Sequence, residues 1–140
     1  MDLILLKKIV DFGIIGFLLL LSVISLSIFI ERVLFYRKID TRLYKNHKIL
    51  ENRLTKYLTT LGSIASNAPY IGLLGTVLAI MITFATISNA GLDASKIMSS
   101  IALALKTTAV GLVVAICSMF FYNILVRMSE NILANYDEKI

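Results

Sequence analysis

Charge is what this sequence has least of: only 16% of its 140 residues are charged, 58% are hydrophobic, and the mean hydropathy is +0.84. A soluble domain of this size needs a polar shell, and this composition cannot supply one. Proline occurs once, at Pro69, so long helices meet only one obstacle. Cysteine also occurs once, and Cys117 can form no intrachain disulfide. Lying inside an apolar run, it reads as a small packing residue. The single histidine, His47, lies in a polar segment and reads as solvated rather than as a ligand. No carboxylate pair, Cys/His cluster, nucleophile–base set or phosphate loop can be assembled. Neither an enzyme nor a bound cofactor or metal is expected. There is also no repeat, low-complexity tract or hinge rich in proline and glycine, so residues 1–140 read as one domain.

What is present is a set of long apolar runs. About 20 apolar residues cross the roughly 30 Å hydrocarbon core of a bilayer as a helix. One run covers roughly 12–30, after Asp11 and before Glu31 and Arg32. A second lies within the uncharged stretch 57–92, with its span placed at 66–88, and a third covers 97–126, interrupted only by Lys106. The fold class is therefore all-α: an integral membrane protein of three transmembrane helices. The first run is not a cleaved signal peptide, being too long and lacking a small-residue cleavage site before the charged segment. Nothing suggests lipidation.

The formal net charge of +5 is not a nucleic-acid signature, because of where it falls. Arg32, Arg37, Lys38, Arg42, Lys45, Lys48, Arg53 and Lys56 share the segment 31–60 with only Glu31, Asp40 and Glu51 as acids. A short basic loop between spans marks the cytoplasmic side. The N-terminus is then outside and the C-terminus inside, with the basic loop near anionic lipid headgroups. Leu43, Ile49, Leu50, Leu54, Leu58 and Leu61 recur at helical spacing. They predict a helix from near Asp40 that runs on into the second span. The uncharged stretch would be about 54 Å of helix, so the second helix projects into the cytoplasm, as does the third. Pro69 predicts a kink near Asn67 and Ala68. Ser88, Asn89, Ala90 and Gly91 read as the outer turn, with Asp93 or Ser95 capping the next helix.

The second and third runs are not uniformly apolar. Gly72, Thr76, Ala79, Thr83 and Thr86 recur at steps of three and four, with Gly75 at the edge. Ser100, Ala104, Thr108, Gly111, Ala115, Ser118 and Tyr122 do the same in the third run, and the first lacks a comparable stripe. Two readings stay open. Small residues let helix backbones approach closely, which makes the stripes packing faces. Alternatively, hydroxyls line a water-filled path without fixed charge, which suits protons. Thr76 and Thr108 lie at similar depth on an antiparallel hairpin, roughly 18 Å below the turn. A chain of three helices cannot enclose a pore alone, so the second reading requires an oligomer. Lys106 is about 160° from the third stripe, given 100° of rotation per residue. It reads as an interfacial or partner-pairing residue rather than a conducting one.

The residues Ile30-Glu31-Arg32-Val33-Leu34-Phe35-Tyr36-Arg37 resemble the segment after the first span of the ExbB/TolQ/MotA proton-channel family. Ala68-Pro69-Tyr70-Ile71-Gly72-Leu73-Leu74-Gly75-Thr76-Val77 resembles its second-span signature. Ala104-Leu105-Lys106-Thr107-Thr108-Ala109-Val110-Gly111-Leu112-Val113-Val114-Ala115-Ile116, followed by Tyr122-Asn123, is similar to the third. The match covers nearly the whole chain and is nearest to short ExbB-type members. It implies a ring of five subunits in the bacterial inner membrane around two single-span ExbD-type helices, working with a TonB-type protein. It places Thr76 and Thr108 at the lumen near a partner's membrane aspartate, with Thr83, Ala79, Gly111 and Ala115 on the same path. Glu31, Arg32, Pro69 and Lys106 fall at partner or interface positions. Two departures stand out: Leu103 replaces a glutamate common in relatives, and Cys117 replaces a frequent proline. The first implies that the titrating carboxylate comes wholly from the partner, and the second a straighter third helix.

Overall fold

The computed structural model describes residues 3–90 and 94–139. Its chain order is α1 (Leu3–Lys38), a 3₁₀ turn (Thr41–Leu43), α2 (His47–Leu54), α3 (Leu58–Ala90) and α4 (Ala94–Glu138). Helices α1, α3 and α4 are each long and apolar enough to cross a membrane. At 36, 33 and 45 residues, they run about 54, 50 and 68 Å, well beyond the hydrocarbon thickness. Gly91 and the Asp93 cap lie outside the described residues, and Ser95 is already inside α4 rather than capping it. Helix α1 also exceeds the first apolar run at both ends, so Asp11, Glu31 and Arg32 are all helical.

The long helices form a three-membered bundle. Gly72 meets Thr107, Thr108 and Gly111, while Gly62 meets Tyr122, so α3 and α4 are antiparallel. Helix α1 packs on both and runs parallel to α4: Ile14 reaches the Gly75–Thr107 contact and Ser25 pairs with Ser118 further along. Two apolar clusters fill the junction. Leu18, Ile64, Ala68, Val114 and Ala115 form one, and Ile28, Tyr36, Leu50, Leu54, Leu58, Leu61 and Leu125 the other.

The helix expected from near Asp40 into the second span is broken twice. Asp40 caps the 3₁₀ turn by accepting from the Arg42 amide at 3.0 Å. Asn46 caps α2 by accepting from the Ile49 amide at 2.9 Å. Helix α2 then stops at Thr55, and Tyr57 takes a left-handed φ of 70° before α3 starts. The reason lies on α1. A continuous helix would commit the Arg53 and Leu54 carbonyls to amides four residues on. The break releases them: Arg32 Nη1 donates to Arg53 O at 2.8 Å, and the Tyr36 hydroxyl donates to Leu54 O. Further along, α3 continues through Pro69 as one helix, and Asn67 Nδ2 donates back to Ser63 O at 2.8 Å.

Candidate functional site

The small-residue stripes of α3 and α4 face each other within one chain. A Cβ on Gly72 would stand 2.6 Å from Thr107 O, and one on Gly111 would stand 2.6 Å from Ala68 O. Backbone atoms cannot yield as a flexible side chain can, so only glycine permits this approach. The close contact carries Thr76, Thr107 and Thr108 into one cluster. Thr76 Oγ1 lies 3.0 Å from Ala104 O, 3.2 Å from Thr107 Oγ1 and 3.3 Å from Gly72 O, and it also contacts Thr108 Oγ1. Thr107 Oγ1 lies 3.0 Å from Ala104 O and 3.2 Å from Gly72 O.

Three hydroxyls supply three protons, whereas the three oxygens and two carbonyls offer more acceptors than that. The contacts are therefore alternatives that hydroxyl rotation can exchange. Such a group can hold a proton wire in either direction without a formal charge. Thr76 and Thr107 are 5% and 1% exposed, while Thr108 keeps a partly exposed edge. No charged side chain occurs on α3, so the cluster sits in an uncharged surrounding on that side.

The other expected path residues continue the same seam. Ala79, Gly111 and Ala115 are buried between the helices. Thr83 is buried as well, donating to Ala79 O at 2.9 Å and accepting from Lys7 Nζ at 3.4 Å. Thus one chain turns this set toward its own neighbouring helix, and Thr108 alone among the cluster hydroxyls reaches a surface. Lys106 is exposed and apart from the seam, and Pro69 is half-buried.

Glu31 and Arg32 form a separate arrangement. Arg32 is 3% exposed, and its guanidinium meets both Glu31 oxygens at 2.5 and 2.6 Å. Its centre also lies 4.3 Å from the Phe35 ring and 5.6 Å from the Tyr57 ring. The planar fork and the aromatic contacts suit arginine and not lysine. His47 is half-exposed rather than simply solvated: its Nδ1 is 2.9 Å from Asp137 Oδ1, joining the start of α2 to the end of α4.

Three residues of interest lie off the two stripes. Thr107 is next to a stripe residue but 100° round the helix from it. Ser25 belongs to α1, where no stripe exists, yet it bonds Ser118 at 2.8 Å with both residues buried. Asp11 reads as the edge of a run, although it shares the face of Lys7, Ile14 and Leu18 at steps of four, three and four. Among the described residues, no group of three His, Cys, Asp or Glu side chains comes together to hold a metal ion.

Comparison with known proteins adds an independent line. Residues 31–138 match the model of the MotA/TolQ/ExbB proton channel family. The chain is similar to the ExbB-like 2 protein of Helicobacter pylori, with 50% identity over 94% of this chain and 88% of that one. It is 46% identical to the biopolymer transport protein ExbB of Aquifex aeolicus, over 94% of this chain and 89% of the other. The Tol-Pal system protein TolQ of Pseudomonas aeruginosa is 38% identical over 61% of this chain and 38% of its own length.

Proposed function

This chain belongs to the MotA/TolQ/ExbB proton channel family, and from that premise we propose that it is the ring-forming, proton-conducting subunit of an ExbB–ExbD-type motor. In this reading five copies of the multi-pass protein assemble in the bacterial inner membrane. The N-terminus is periplasmic, the C-terminus cytoplasmic, and two single-span ExbD-type helices occupy the lumen. Proton flow drives the partner against the ring and energises outer-membrane transport through a TonB-type protein. The basic segment 31–60 lies at the cytoplasmic lipid surface.

The observation that carries this reading is the hydroxyl cluster of Thr76, Thr107 and Thr108 in an uncharged, close-packed seam. Its exchangeable donors can order water beside a partner carboxylate while binding no metal ion strongly. Thr108, with its partly exposed edge, is the point of contact with the lumen. Ala79, Thr83, Gly111 and Ala115 continue the path along the seam. Lys106, being exposed, meets a neighbouring subunit or the interface.

The test is proton flux in liposomes carrying the chain with its single-span partner. Thr76→Val and Thr108→Val keep the shape and remove the hydroxyl. Each is expected to lower flux without changing a five-fold subunit count in native mass measurement. Undiminished flux in both variants overturns the hydroxyl role. The burial of both stripes inside one chain favours a second reading, a membrane scaffold that conducts nothing. A monomer or dimer in mild detergent supports it. The similarity to a TolQ protein leaves an envelope-maintenance role as the alternative within the family.

A further inference from the structure

One carboxylate has no place in the scheme above. Asp11 Oδ1 is buried and is the one described buried side-chain N or O atom without a hydrogen-bond partner. Leaving a polar oxygen buried and unmatched is costly, and the cost falls when it meets water or another hydrogen-bond donor. Its surroundings supply a source of water on one side and a set of hydroxyls on the other.

The level of Asp11 follows from the contacts that bracket it. Ser25 and Ser118 pair across a separation of 93 residues, and parallel packing puts Asp11 level with Ala104 on α4. On α3, Lys7 meets Thr83 and Ile14 meets Gly75, so Asp11 falls between these contacts, level with Ala79. Thr76 Oγ1 contacts Ala104 O. Asp11 is therefore about 5 Å, one helical turn, along the bundle axis from the hydroxyl cluster. One turn to the other side is an open cavity of about 430 Å³, lined by Lys7, Thr83, Thr86, Lys96, Ser99 and Ser100 among others. That volume holds many waters, and its hydroxyls and ammonium groups can bind them.

We propose that Asp11 is a proton-loading carboxylate of the chain itself, taking protons from water in this cavity and passing them to water held at Thr76, Thr107 and Thr108. The proposal rests on the proton-conduction reading and replaces the expectation that the titrating carboxylate comes wholly from the partner with one in which the ring contributes a second. A hydronium in the cavity gives its proton to the Asp11 carboxylate and becomes water. The carboxylic acid then gives a proton to water at the cluster and returns to carboxylate, so the chain ends each transfer unchanged. The charged groups near it are few. Lys7 is one turn outward on the same face and Lys8 is exposed; α3 has none; on α4, Lys96 lines the cavity and Lys106 is exposed.

The test uses liposomes containing the full chain with its single-span partner. Asp11→Asn is expected to lower proton flux by about a hundredfold and to flatten its dependence on pH at the N-terminal side, with Asp11→Glu retaining both. Infrared difference spectra between wild type and Asp11→Asn are expected to show a protonated-carboxyl band that disappears as pH rises. Wild-type flux in Asp11→Asn, or no such band, overturns the proposal. If the wild-type complex conducts nothing, the channel reading falls, and the infrared band alone decides whether Asp11 loads protons. If Asp11→Asn fails to assemble, Ser100→Cys with Cys117→Ser places a thiol in the cavity. A membrane-impermeant thiol reagent that blocks flux then supports the route, and undisturbed flux after complete labelling overturns it.

Discussion

The hydroxyls of Ser25 and Ser118 lie 2.8 Å apart, joining α1 to α4 through two side chains that are each 1% exposed. They sit among apolar residues, where neither hydroxyl has water to fall back on. Alanine at either position is expected to lower stability by about 0.5–1.5 kcal/mol, since interhelical hydrogen bonds in membranes are worth roughly that. The double substitution should cost less than its two parts together. Unfolding in mixed detergent micelles, run as a double-mutant cycle, measures the coupling, and strict additivity would contradict it.

Gly72 and Gly111 set the spacing of the whole seam. Alanine at either must push backbone away from backbone, because the added Cβ meets a carbonyl oxygen at 2.6 Å. A loss of about 1–3 kcal/mol is expected from such overpacking. Gly62→Ala is a milder control, since its Cβ meets the Tyr122 ring at 3.1 Å and a ring can turn. Thermal unfolding of the three variants should rank Gly62→Ala as the least affected.

Among the threonines, Thr107→Val should be as damaging to structure as Thr76→Val. Both hydroxyls are almost fully buried and both reach carbonyls on two helices. Each replacement is expected to cost about 1–2 kcal/mol through the side-chain hydrogen bonds lost from the buried seam. Thr108→Val, at a partly exposed position, should cost less while still reducing proton flux. Stability and flux measured on the same preparations separate the two effects.

Arg32 holds α1 to the junction of α2 and α3 by one charged fork. Arg32→Lys keeps the charge but cannot reproduce two bonds to Glu31 with a third to Arg53 O. Faster proteolysis near Arg53 and Tyr57 is expected in this variant, with the three-helix bundle retained. An unchanged cleavage pattern would show that Tyr36 and the apolar cluster suffice.

Much of this architecture is legible in the sequence because its causes are local. Run length reveals three long helices, and the steps of three and four around Gly72 and Gly111 reveal which faces carry small residues. The break at Tyr57 is not legible, because its cause is a pair of donors on α1, Arg32 and Tyr36, that capture the Arg53 and Leu54 carbonyls. Thr107 is hidden for a related reason. A wheel drawn for one helix excludes it, whereas the closeness of Gly72 to Thr107 O brings its side chain within reach of α3. Asp11 is the opposite case: a charge near the end of an apolar run reads as a boundary, although it occupies the packing face.

The length of α4 gives the molecule a mechanical property. It is one uninterrupted 45-residue rod with the hydroxyl cluster in its first third. Near its far end, Tyr136 donates to Tyr44 O at 3.0 Å and Asp137 pairs with His47. A tilt of about 5° at one end of a rod about 68 Å long carries the other end by about 6 Å, roughly one helical pitch. A change at Thr107 that tilted α4 as a rod would carry α2 with it, and load on α2 would reach the threonines by the same contacts.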